Sequence, residues 1–268
     1  GLRYQISPEA FFQVNTKCAE VLYNKAIELS NPTSETTLLD ICCGTGTIGL
    51  SFSQHCNKIL GVEISPQAVI DARKNAEENG ITNADFHVGP AEDVLSSILW
   101  TIKSQKDVLA IVDPPRAGLH TRAITQLRRC TNVKRLVYIA CSPRSATKNW
   151  IDLSRPASKT MRGAPFLPVQ AIAVDMFPQT NHCEFIVYFE RAEDDIQQQQ
   201  KSRIDANQQE EHPKNELEKD ENLSNPQVMN DLNDLINISV KASDEDRKII
   251  IKEETRNHSI EDDDVIET

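Results

Sequence analysis

The chain has 268 residues with 29 Lys and Arg against 40 Asp and Glu, a formal net charge of −11, and this length bounds it to one large domain or two small ones. The charge is unevenly spread: residues 1–191 carry 20 basic against 18 acidic side chains and residues 192–268 carry 9 against 22, so the acidity does not exclude a polyanionic partner for the first part. Seven cysteines (18, 42, 43, 56, 130, 141, 183) include no C-x-x-C pair and no His at metal spacing, which argues against a metal. With no signal peptide and no apolar run long enough for a bilayer, the expected setting is reducing, cytosolic and/or nuclear, without membrane contact.

The opening segment "GLRYQISPEAFFQVN" lacks a methionine and reads as the C-terminal part of a longer protein. "TKCAEVLYNKAIELS" has helical apolar spacing and stops before Asn31-Pro32. "TTLLDI" predicts a strand that enters the glycine loop "CCGTGTIG" and a helix. "KILGVEI" predicts a second strand, followed by the helix "SPQAVIDARKNAEENG" with Pro66 at its start and Gly80 at its end. "ADFHVG", "VLAIVDPP" and "KRLVYIACSP" continue as strands, each followed by a helical stretch, which implies a parallel doubly wound sheet. "VQAIAVDMF" and "CEFIVYFER" are joined by only a short turn and predict an antiparallel hairpin. A parallel sheet ending in a hairpin is the layout of the class I S-adenosylmethionine-dependent methyltransferase (Rossmann-like) fold. From Asp194 the chain has no Gly, Trp, Tyr, Phe or Cys, so 192–268 is expected to be a mostly disordered acidic tail behind a catalytic domain of residues 1–191.

Gly44-Thr45-Gly46-Thr47-Ile48-Gly49 satisfies G-x-G-x-x-G, and Glu63 ends the next strand where a carboxylate can take both ribose hydroxyls. These two features serve a dinucleotide or S-adenosylmethionine equally. Asp113-Pro114-Pro115-Arg116 separates them, because an Asp/Asn-Pro-Pro segment after the fourth strand gives nucleobase and amide methyltransferases a rigid wall for a planar group. Methylating a carbon such as C5 of uracil demands more: a thiolate to add at C6, and a base to take the C5 proton. Cys141 at the end of the fifth strand, two residues before Pro143, fits the nucleophile, since helix N-termini favour thiolates. Glu184, opening the last strand, fits the base, with His182 a lesser candidate.

Together, "FFQVN", "DICCGTGTIGL", "GVEIS", "DPPRAGL", "YIACSP" and "DMFPQTNHCE" resemble the RNA (uracil-5-)-methyltransferase family over roughly residues 1–191. The resemblance implies methyl transfer from S-adenosylmethionine to C5 of a uridine, that of the T-loop in tRNA first, with other uridine-containing RNA as further partners. It implies contacts to the methyl donor from Gln13, Cys42, Thr47, Glu63 and Asp113, the nucleophile at Cys141, the proton acceptor at Glu184, and an ordering role for Arg116. The family's S-C-N-P is here Ala140-Cys141-Ser142-Pro143, and its N-terminal RNA-recognition or TRAM-type domain is not within these 268 residues. Nine basic residues against one acid between Arg128 and Arg162 form a candidate phosphate-binding patch. The competing readings are a nitrogen-directed methyltransferase, which needs no cysteine, and a non-catalytic RNA-binding protein; a monomer is expected.

Overall fold

The computed structural model describes residues 1–180 and 182–192, so the reading of an acidic tail lies outside the described residues apart from its first position. The five segments read as strands form: β1 (Thr37–Ile41), β2 (Lys58–Glu63), β3 (Ala84–Val88), β4 (Val108–Val112) and β5 (Val133–Ala140). β1 and β4 are buried at every position, as strands covered on both faces must be. The helices α1 (Thr16–Ser30), α2 (Thr47–Ser51), α3 (Pro66–Glu78), α4 (Ala91–Thr101), α5 (Thr121–Arg129) and α6 (Pro143–Ser154) precede or connect them. The hairpin strands are β6 (Phe166–Val174) and β7 (Glu184–Arg191).

The sheet runs β3-β2-β1-β4-β5-β7-β6, parallel from β3 through β5 and antiparallel where β7 meets β5 and β6. Strand order reverses between β1 and β4, and ligands of open α/β sheets bind outside the carboxyl ends of the strands at that point. The hairpin is therefore present, but its second strand is inserted inside its first. β6, at the edge, begins at Phe166, earlier than the alternation suggests, and it accommodates Pro168 where the register shifts, since an edge strand tolerates a missing N–H donor.

The pairing of β5 with β7 sets the site. Ala140 lies opposite Phe185, the last pair of the antiparallel ladder, so Cys141, one residue past β5, and Glu184, the first residue of β7, stand at the same end of neighbouring strands.

The basic patch is smaller than its sequence count. Arg128 is completely buried, donating to the carbonyls of Asp152, Arg155 and Gly163 at 2.8 Å each, and burial lowers its pKa to about 10. Arg135 pairs with Asp107 at 2.6 Å and Arg155 with Asp152 at 3.1 Å. Arg129, Lys134, Arg144, Lys148, Lys159 and Arg162 remain exposed. Three of the nine thus hold the fold, because long guanidinium groups satisfy buried carbonyls where chain segments meet. Arg128→Met is expected to lower stability by about 3–5 kcal/mol, leaving three carbonyls unpaired; urea unfolding measures it, and a loss under about 1 kcal/mol contradicts this role.

Candidate active site

The donor half of the crevice is built around the loop after β1. Cys42 takes φ 66° and Gly44 and Gly46 take φ 54° and 81°, turning the chain back under the sheet edge; at Gly46 a Cβ would stand 3.1 Å from the Phe86 ring, so glycine is the residue that fits. α2 is a single short turn, and one of its N–H groups is already taken: Gly49 donates to Asp40 Oδ2 at 2.9 Å. Asp40 Oδ1 is buried without a partner, and burial pushes the Asp40 carboxyl up to about 7. Glu63 is oriented from both sides, with Oε2 accepting from the Gly44 N–H at 3.0 Å and Oε1 from the Ser65 N–H at 2.9 Å. Thr47 Oγ1 receives the Tyr23 hydroxyl at 3.4 Å, and burial raises that phenol to about 12. Gln13 is buried at 6% exposure in the segment that Asn15 pins to the Met176 carbonyl at 3.3 Å.

The acceptor half lies at the ends of β4, β5 and β7. Pro114, Pro115 and Arg116 line one cleft together with Tyr138, Cys141 and Ser142. Arg116 is exposed at its rim. Cys141 sits half-buried in the single residue gap between β5 and the α6 cap. Ser142, standing where the family has Asn, shares a hydrogen bond with the Ser145 hydroxyl at 3.0 Å. Glu184 is 3% exposed, its Oε2 has no partner, and burial lifts its carboxyl to about 7. Asp113 is raised well above the carboxylate range by burial, then by the charges of Glu184 and Asp40. His182, in contrast, is exposed, with its backbone N–H on Thr180 Oγ1. Burial and the charges of Glu63, Asp113 and Asp40 raise the Cys42 thiol far above its ordinary value, so Cys42 stays a neutral thiol.

Asp40, Asp113 and Glu184 thus form one acidic, poorly hydrated interior, and two of them hold an oxygen that no protein group satisfies. Such a site suits a cationic ligand, and a pyrophosphate would be repelled by it. Asp40 and Tyr23 join the sequence-derived set. An acid inside the apolar run "TLLDI" is itself a signal, because a buried carboxylate needs a reason; Tyr23 reads as an ordinary helix residue. Among the described residues, no three or more His, Cys, Asp or Glu side chains gather to hold a metal ion.

A family model described as tRNA (Uracil-5-)-methyltransferase matches residues 1–192. The tRNA (uracil-5-)-methyltransferase homolog A of Homo sapiens is 49% identical over 193 residues, covering 72% of this chain and 31% of that protein. Homolog B of Mus musculus is 47% identical over 194 residues, covering 71% and 39%. Among solved structures, the chain is similar to Pyrococcus abyssi tRNA (uracil-54, C5)-methyltransferase in complex with S-adenosyl-L-homocysteine, with TM-score 0.56 and 30% identity over 69% of this chain and 41% of that one. The chain spans about a third of the length of the curated relatives it matches.

The raised carboxyls make stability depend on pH. Between pH about 4 and 7 the folded state holds protons on Asp40 and Glu184 that the unfolded chain has released, so their contribution falls as pH rises through that window and is lowest above it. Asn in place of Asp40 keeps an acceptor for the Gly49 N–H and removes the charge. Asp40→Asn is expected to be more stable than the parent by about 1–3 kcal/mol at pH 8 and near equal at pH 4, read by urea unfolding; a pH-independent difference contradicts the assignment.

Proposed function

The chain belongs to the tRNA (uracil-5-)-methyltransferase family, and on that premise we propose that it methylates C5 of a uridine in RNA, the T-loop uridine of tRNA first, using S-adenosylmethionine. The observation that carries this reading is the place of the two groups: Cys141, in the Pro114-Pro115 cleft, directly follows β5, and the buried Glu184, whose Oε2 has no partner, opens the adjacent strand β7. The acidic interior fits the donor, whose sulfonium supplies an electrophilic methyl group when bound. Glu63, braced by two backbone N–H groups, has lone pairs left for ribose hydroxyls; Asp40 and Asp113 would hold the cationic end, and Gln13, Cys42 and Thr47 would complete the donor pocket.

Chemically, the Cys141 thiolate adds to C6 of the uracil, and the electron pair of the C5–C6 double bond moves to C5 and O4. C5, now nucleophilic, would take the methyl group as the S–CH3 bond breaks and its electron pair returns to sulfur, leaving S-adenosylhomocysteine. Glu184 then removes the proton from C5, the double bond re-forms, and the C6–S bond breaks to return the thiolate. A carboxyl held near 7 by burial is matched to a proton transfer at neutral pH. Arg116 at the rim would order the flipped base, and Arg144 and Lys148, exposed on α6 next to the cleft, suit the flanking phosphates.

The test is nucleoside analysis of T-loop RNA after incubation with the donor and full-length protein. 5-Methyluridine is expected from the parent, none from Cys141→Ala, and from Glu184→Gln a rate lower by about 10²–10⁴. The single-turnover rate of the parent should climb as pH rises through about 7, where it is half-maximal, and level off above it. Undiminished methylation by Cys141→Ala, or a methylated nitrogen as product, contradicts the reading.

A further inference from the structure

Asn149, midway along α6 and 5% exposed, commits its whole side chain to one junction. Its Oδ1 accepts from the Leu119 backbone N–H at 2.6 Å and from the Tyr138 hydroxyl at 2.8 Å, while Nδ2 donates to the Leu119 carbonyl at 3.0 Å. The loop after β4 is shaped to receive it. Gly118 takes φ 75°, and a Cβ there would stand 2.5 Å from Asn149 Oδ1, so this close approach requires glycine. The Gly118 N–H in turn donates to the Pro115 carbonyl at 2.7 Å, closing the turn that carries the proline wall.

Three pieces of the acceptor cleft therefore meet on one carboxamide. The Pro114–Leu119 loop is one wall. β5, which ends beside Cys141, is held through Tyr138, whose ring packs edge-on to Trp150 with centroids 6.0 Å apart. α6, which starts just after Cys141, carries Asn149 itself. Gly118 and Tyr138 line the same cleft as Pro115 and Cys141.

We propose that Asn149 is a positioning residue whose amide sets the spacing between the Pro114-Pro115 wall and the Cys141 thiol, and with it how deeply a flipped pyrimidine can enter. The proposal rests on the reading of Cys141 as the nucleophile. A carboxamide is the side chain that matches a backbone N–H and carbonyl at once. Asp at this position would still accept from Leu119 and Tyr138 but would set an oxygen against the Leu119 carbonyl. An apolar residue would strand all three groups. Of the donor half, Asp40 and Glu63 stand outside this junction, on β1 and β2.

The experiment compares full-length parent, Asn149→Asp and the milder Tyr138→Phe. In Asn149→Asp, kcat on T-loop RNA is expected to fall about 10–100-fold, with KM for RNA and Kd for the donor within about twofold, since a misplacement of about 1 Å acts on the chemical step. Tyr138→Phe should move kcat the same way by a smaller factor. In both, amide hydrogen exchange across 116–120 and alkylation of Cys141 by iodoacetamide should quicken. Faster exchange with unchanged kcat overturns the proposal, as does a parallel loss of kcat, donor affinity and melting temperature, which is plain destabilisation. A parent that makes no 5-methyluridine sinks the proposed activity instead; the positioning claim is then judged by Cys141 alkylation, supported if faster in Asn149→Asp and overturned if unchanged.

Discussion

An antiparallel strand laid against the last parallel one fixes, through a ladder running from Arg135–Glu190 to Ala140–Phe185, which side chain ends up beside the residue that follows β5. A slip of one residue would turn every side chain of β7 to the opposite face, taking Glu184 out of step with the end of β5 and exchanging what β7 gives to the two core faces, Val187 and Phe189 on one and Ile186 and Tyr188 on the other. Core packing and site geometry are thus enforced by the same register. The continuous apolar run that buries β7 on both faces also sets the carboxylate that opens it at the end of β5.

Electrostatics divides the crevice in two. On one side Asp40, Asp113 and Glu184 share a poorly hydrated interior, with all three carboxyls raised and one oxygen each of Asp40 and Glu184 left unpartnered. That arrangement costs stability in the empty protein and is relieved by a positive ligand. On the other side, Arg116 lines the cleft and is exposed, and Arg144 and Lys148 are exposed on α6, whose Ser145 and Ala146 line the same cleft, where a polyanion would approach. A cation bound inside and a phosphate chain outside are the two halves of a methyl transfer to RNA, and the proline wall stands between them.

The parallel strands were legible because β1, β2, β4 and β5 carry apolar runs and β3 alternates apolar and polar residues, each followed by a helical stretch, and α1 was legible to its last residue, Ser30, by its spacing and the Asn31-Pro32 that follows. The motif residues Glu63, Asp113, Cys141 and Glu184 fall at strand ends, where chemistry concentrates in such sheets. What could not be read was non-local. Nothing near Arg128 announces that its guanidinium will cap carbonyls 24, 27 and 35 residues away, and so the basic count overstated the surface patch. Asn149 looks like any polar helix residue until the turn at Gly118 folds onto it. β7 lying inside β6 depends on sheet order, which local alternation does not encode.

The most direct test of the account is mass spectrometry of the full-length protein after incubation with S-adenosylmethionine and a T-loop RNA carrying 5-fluorouridine. Fluorine at C5 cannot leave as a proton does, so the cycle should stall with the methylated base still bonded to sulfur. The account predicts a covalent RNA adduct mapped to Cys141 and lost in Cys141→Ala. A preparation that binds both donor and RNA yet forms no adduct, or forms it at another cysteine, would contradict it.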